Sequence, residues 1–214
     1  MDQNQIISAL NWRYATKKYD STKKLKESDW QTLAEALRLA PSSYGLQPWK
    51  FLVVQNPELR AQLRPVSWGQ SIIEDCSHLI VFTTREFMTK EHIAAHIEQT
   101  AKSRGVPAQE LEGYKTFMEQ KILNEKPANT HLGWNQRQAY IAMGFLLETA
   151  ALMKIDATPV EGIDPDAYDK ILNLQGTGYK TVAVVTLGYR HAEDGYQQAP
   201  KSRFDLNQIL EFKN

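Results

Sequence analysis

The sequence predicts an α+β fold, and three observations carry that reading. The runs KFLVVQ, HLIVFTT and KTVAVVTLGY are apolar and β-branched and read as strands at 50–55, 78–84 and 180–189. The stretches between them are helical in period but unequal in length, unlike the regular βαβ succession of a doubly wound sheet. Finally, Gly176-Thr177-Gly178 precedes a strand instead of opening a helix, and no third glycine follows, so a dinucleotide-binding turn is excluded.

Helices are expected at about 3–14, 28–40, 57–65, 88–104, 107–123, 131–153 and 165–173. In the second, Trp30, Leu33, Ala34, Leu37 and Ala40 fall at helical spacing, with Ser28 as the expected N-cap. In the sixth, Ala139, Met143, Leu146, Leu147, Ala150 and Ala151 repeat with little polar interruption, which predicts a central, buried helix. A short fourth strand is expected in DATPVEG, at 156–162.

The length of 214 residues suits one domain, 1–214, carrying a helical excursion at about 88–130. Hydrophobic residues make up 42% and charged residues 23%, ordinary values for a globular protein. Lys+Arg and Asp+Glu both total 25, so global charge predicts neither a nucleic-acid nor a membrane partner. An anion site must then be a local cluster. The single cysteine, Cys76, fits a reducing compartment, and its expected role is that of a small buried packing residue. With no secretory pattern in MDQNQIISAL and no apolar run long enough to span a bilayer, the expected location is the cytoplasm.

Several short constellations stand out. In NWRYATKKYD, Arg13 and Lys17 are four apart and share a face if the helix or a following turn continues. In APKSRFD, alternation puts Lys201 and Arg203 on one side of an extended segment, where guanidinium and ammonium suit a phosphate monoester. Pro159-Val160-Glu161-Gly162 follows the central helix, and Gly162 permits close backbone approach to a ligand. Gln138 opens the buried helix, and LAPSSYGLQPWKFLVV pins a serine-rich loop with Pro48 and Trp49. Singly, each has a bland reading as solvated surface, ordinary acid or loop. His92 and His96 are spaced for a metal but lack the H-E-x-x-H order, so no metal site is expected.

Taken in order, R-x-A-T-K, P-S-S-x-x-x-Q-P-W, W-x-x-x-Q-x-Y, P-x-E-G and P-K-S-R make the chain resemble the FMN-dependent nitroreductase family from about Ile6 to Arg203. The resemblance implies an intertwined homodimer with a central, mostly antiparallel sheet flanked by helices and FMN in clefts at the interface. It implies that Arg13, Lys201 and Arg203 clamp the FMN phosphate, with Tyr14 and Ala15 beside them. Lys17 then lies near the flavin N1–C2 edge, where a fixed cation stabilises the charge of the reduced ring. By the same resemblance, Pro159, Val160, Glu161 and Gly162 present backbone beside flavin N5. Pro41, Ser42, Ser43 and Gly45 come from the partner subunit, joined by Gln138, and Tyr44 and Phe117 cover the substrate. Ala15 stands where the family often has serine, and Gly45 where it often has asparagine. Near WGQSIIED a basic residue of some members is replaced at about Ile72, with Gln70 as a substitute hydrogen-bonding group.

The implied activity is ping-pong transfer of hydride from NADH or NADPH through flavin N5 to nitroaromatic or quinone-type acceptors. A free-flavin or quinone reductase and a non-catalytic flavin-binding redox sensor stay open as alternatives.

Overall fold

The computed structural model describes residues 2–213. In chain order the elements are α1 (Gln3–Trp12), α2 (Glu27–Leu39), β1 (Trp49–Val54), α3 (Pro57–Leu63), α4 (Ile72–Asp75), β2 (His78–Arg85) and α5 (Lys90–Arg104). There follow α6 (Glu112–Glu119), α7 (His131–Leu152), β3 (Asp156–Val160), α8 (Pro165–Ile171), β4 (Tyr179–Gly188) and α9 (Leu206–Ile209). The four strands form one antiparallel sheet in the order β1-β2-β4-β3.

Both faces of that sheet are covered, which explains why the strand sequences read as continuous apolar runs instead of alternating. Ile80, Phe82, Ala183, Val185 and Leu187 point into a core shared with α2 and α7. Leu79, Val81 and Val184 point the other way, against Leu63 of α3, Ile72 and Ile73 of α4 and Tyr168 of α8. Helix α7 buries Ala139, Met143, Leu146, Ala150 and Ala151 of the expected set and Ala142 beside them, while Leu147 is only partly buried against the same core. A third core of Leu46, Met88, Ile93, Ile97, Met118 and Ile122 belongs to the helical excursion and holds the loop after α2 against it.

Three expectations change. Ser28 is not the N-cap of α2; Lys26 is, without a side-chain cap bond. Ser77 Oγ accepts the Leu25 N–H at 2.8 Å, fixing the chain just upstream, and Glu27 and Asp29 place acids in the first turn where the helix dipole favours them. The single helix expected at 107–123 is a 3-10 turn (Ala108–Leu111), α6 and a π turn (Gln120–Asn124). Pro107 holds the entry extended, and the wide last turn accompanies full burial of both Met118 and Ile122. Helix α1 ends at Trp12, two residues short of expectation, because Arg13 is already extended.

Burial of titratable groups gives the fold a pH limit. Cys76 is fully buried and its thiol is pushed up from 9.0 to about 11; Tyr168 is pushed up from 10.0 to about 12, and Tyr19 is raised further, all chiefly by desolvation. These groups hold their protons more tightly folded than unfolded. Their contribution is therefore intact below about pH 9 and is lost as pH rises through 11 and 12. Denaturant titrations at pH 8 and pH 11 should give a lower midpoint at the higher pH; equal midpoints would contradict this assignment.

Candidate functional site

The N-terminal and C-terminal segments meet beside β3 and β4. After α1 the chain runs extended through 13–20 as a strap against 189–194. Tyr19 pairs with Arg190, Lys18 O accepts from His191 N at 2.9 Å, and Asp20 N donates to Tyr189 O at 2.8 Å. Buried Asp156 receives Arg190 N and Nε, each at 2.8 Å. The Arg190 guanidinium is sandwiched by Trp12 and Tyr14, 4.2 and 4.5 Å from their ring centroids.

Between this strap and residues 196–203 lies a cavity of about 350 Å³, lined by Arg13, Tyr14, Ala15, Lys17, Lys201 and Arg203 among others. Arg13 and Lys17 reach it without sharing a helical face, since the helix has ended; the strap's pairing with 189–194 brings them together instead. Lys201 and Arg203 arrive on a segment without regular secondary structure. Lys201 Nζ donates to the Arg13 carbonyl, closing the ring of chain around the cavity.

This cavity is electrostatically incomplete. The Arg13 guanidinium is held below its ordinary value by burial and then by the Arg203 charge. Lys201 is lowered by burial, then by Arg13 and by Arg203. Arg13 Nε is buried with no hydrogen-bond partner. Crowded cations with an orphaned donor fit a multivalent anion, which would satisfy the donor and offset the repulsion.

A second cluster forms around the loop after α2. Gln138, expected in its bland reading to face solvent, is buried, and its Oε1 accepts the Ser43 N–H at 2.9 Å. Ser42 Oγ accepts Gln47 N at 2.9 Å. Tyr44 and Gln47 lie in the left-handed region at φ 58° and 44°, with Gly45 at φ 72° between them, so the loop is strained and over-determined. Helix α5 helps hold it: His92 Nε2 lies 2.6 Å from Leu46 O. A Cβ on Gly45 would lie 3.2 Å from His96 Cε1, which accounts for glycine there. Among the described residues no group of three or more His, Cys, Asp or Glu side chains is gathered for a metal. Half-exposed Tyr44 and Phe117 stand edge to face, their ring centroids 6.3 Å apart.

The third cluster is Pro159-Val160-Glu161-Gly162 at the end of β3. The Tyr140 hydroxyl donates to Glu161, and burial followed by this bond raises the phenol's pKa. Gln70 Nε2 donates to Ser67 O at 3.0 Å and to Gly162 O at 3.3 Å, so its amide hydrogens are engaged within the fold. Ile72 is buried in the core and does not face this loop's polar groups. The Trp68 ring covers Gly162 so closely that a Cβ would lie 2.8 Å from its Cε3. Trp68, at φ 55° and 82% exposed, is a neighbour of this loop that no sequence period marks.

Within one chain the cation cavity, the serine loop and the Glu161 loop are separate groups; neither the serine loop nor the Glu161 loop lines the cavity. The nitroreductase family model matches residues 10–189, the greater part of the chain. The chain belongs to the nitroreductase family. A nitroreductase-family relative from Staphylococcus saprophyticus, a candidate NAD(P)H nitroreductase, is 35% identical over 201 residues, covering 89% of this chain and 90% of its own. The major NAD(P)H-flavin oxidoreductase of Aliivibrio fischeri is 32% identical over 211 residues, covering 96% and 97%. The fold matches that of a candidate nitroreductase from Exiguobacterium sibiricum solved in complex with FMN, with TM-score 0.82, 23% identity and coverage of 100% and 98%.

Proposed function

We propose that this nitroreductase-family chain is an FMN-dependent oxidoreductase that passes hydride from NADH or NADPH to nitroaromatic or quinone-type acceptors, using one site in turn for donor and acceptor. The observation that carries the reading is the cavity in which Arg13, Lys201 and Arg203 crowd around an unpartnered Arg13 Nε. Bound FMN would supply the two-electron redox chemistry. The chain's residues would hold and tune it. Arg13, Lys201 and Arg203 grip the phosphate dianion, with Tyr14 and Ala15 lining the same cavity. Lys17, which lines the same cavity, would supply a fixed positive charge near the flavin N1–C2 edge and so favour the reduced ring. Pro159, Val160, Glu161 and Gly162 would present backbone to flavin N5, with the Glu161 carboxylate anchored by Tyr140 and Gly162 by Gln70. No side-chain nucleophile is needed.

In this reading Pro41, Ser42, Ser43, Gly45 and Gln138 complete the site from the partner subunit, and Tyr44 and Phe117 cover the acceptor. A homodimer is supported by apolar surface left uncovered in one chain: Ile7 of α1, Ile141 and Phe145 of α7, and Phe204, Leu206 and Phe212 of the tail. The edge of β1 is open as well. We read 1–214 as one FMN-binding unit with its helical excursion at about 88–130 as the lid. Among the described residues no helix is long and apolar enough to cross a membrane, and the lone buried thiol is consistent with the cytoplasm.

Purified protein should be yellow and should bleach anaerobically on addition of NADH or NADPH. Double-reciprocal plots against a nitroaromatic should be parallel. Colourless protein that takes up no added FMN would sink the reading, and flavin that binds but resists both nicotinamides would favour a redox sensor. The Aliivibrio fischeri relative's name motivates one further comparison, the turnover of free flavin against quinone and nitroaromatic acceptors.

A further inference from the structure

Asp194 lies outside every motif that points to the cofactor, yet it joins both segments that build the cation cavity. It is 3% exposed. Its Oδ2 accepts the Tyr14 hydroxyl at 3.0 Å, the Lys17 N–H at 2.7 Å and the Lys18 N–H at 3.1 Å. Its Oδ1 accepts the Tyr196 N–H at 3.1 Å, capping the 3-10 turn Gly195–Gln198 that feeds directly into Ala199-Pro200-Lys201. One carboxylate thus fixes the strap bearing Arg13 and Lys17 and, through its other oxygen, the segment bearing Lys201 and Arg203. We propose that Asp194 is a positioning residue for the anion clamp, holding the two cation-bearing segments at the spacing that a phosphate monoester needs.

This rests on the reading of the cavity as the FMN phosphate site. The alternative role for an acid beside a cationic cavity is plain charge balance, and the two roles differ in sign. An acid acting only as counter-charge opposes anion binding, so its removal tightens FMN. An acid acting through position leaves the cations misplaced when removed, so its removal weakens FMN. Its partners, three backbone N–H groups and one phenol, are those of a scaffold. The carboxyl is held below its ordinary range by those hydrogen bonds, working against its burial, so it is ionised at neutral pH.

The test is titration of flavin-free protein with FMN and with riboflavin, which lacks the phosphate, for wild type, Asp194→Asn and Tyr14→Phe, alongside the melting temperature of each. Asp194→Asn keeps one acceptor oxygen but sets an NH2 donor against donors, and should weaken FMN by about tenfold. Riboflavin affinity should change little, so the FMN-to-riboflavin preference collapses towards one. Tyr14→Phe removes a single bond to Oδ2 and should shift the preference the same way by roughly threefold, which keeps the test decisive if Asp194→Asn folds poorly. Tighter FMN binding, or equal losses for both flavins in the folded variants, overturns the proposal. A wild-type protein that binds neither flavin instead overturns the cavity's assignment to FMN.

Discussion

Arg13→Ala is expected to lower FMN affinity roughly a hundredfold, about 3 kcal/mol, while the flavin-free protein melts no earlier than wild type. The two halves have one cause. In the isolated fold Arg13 is a liability: half-buried, its Nε unpartnered, and repelled by Arg203 and Lys201. Removing it relieves repulsion and removes an orphaned donor, which offsets the packing lost from its aliphatic stem. With a dianion present the balance inverts, because the same guanidinium supplies charge-assisted hydrogen bonds in a partly desolvated site. Arg13→Lys should recover only part of the loss, since an ammonium lacks the planar fork. Isothermal titration with FMN and thermal melts of flavin-free protein check both halves. A variant that melts early and binds FMN normally would place Arg13 in the scaffold instead.

Where the sheet and the long helices were readable, one strong local signal decided each. Both faces of β2 and β4 are buried, so their runs are continuous in apolar residues and leave no competing period. Helix α7 buries one face, with Ala139, Ala142, Met143, Leu146 and Ala150 in the core, while its equally apolar Ile141 and Phe145 stay exposed in one chain. The excursion was harder. A 3-10 turn at Ala108–Leu111 and a π turn at Gln120–Asn124 flank α6 and split one apparent period into three pieces, with Met118 and Ile122 packed beside Ile93 and Ile97 of α5. At the start of α2 the Leu25 N–H is held by Ser77 Oγ, a tertiary contact that the local preference of Ser28 for a cap does not report.

The candidate site was legible in its charges and motifs but not in its supports. Balanced global charge confined any anion site to a local cluster, and Arg13, Lys17, Lys201 and Arg203 do line one cavity. What brings them together is non-local: Asp194 and Asp156 bond a strap some hundred and forty to a hundred and eighty residues away in sequence. No periodicity marks such an acid. The histidines of α5 illustrate the converse, a spacing that resembles a metal pair, yet the His92 ring meets the Leu46 carbonyl and the His96 ring packs beside Gly45.

Gly188→Ala should be the most damaging single methyl group in the sheet, destabilising the fold by about 3 kcal/mol. A Cβ there would lie 2.8 Å from Tyr19 Cδ1 and 3.2 Å from the Ser77 backbone nitrogen. Neither neighbour can yield. Ser77 N is bonded to Leu187 O at 2.8 Å. Tyr19 is buried, and its hydroxyl is bound to Thr186 O at 2.9 Å and Thr186 Oγ1 at 3.0 Å. Gly162 is the informative contrast. A Cβ on it comes equally close to Trp68, but that ring is exposed and free to turn, so Gly162→Ala should alter stability by less than about 1 kcal/mol. For a chain of 214 residues the Gly188 loss corresponds to a melting point roughly 6–12 °C lower. Because Tyr19 anchors the strap that carries Arg13 and Lys17, FMN affinity should fall with it, whereas Tyr19→Phe, which keeps the ring and loses the hydroxyl, should cost only about 1 kcal/mol. Pairing Gly188→Ala with Tyr19→Leu should recover part of the stability through the freed volume, and strict additivity of the two losses would show that the clash is not the cause.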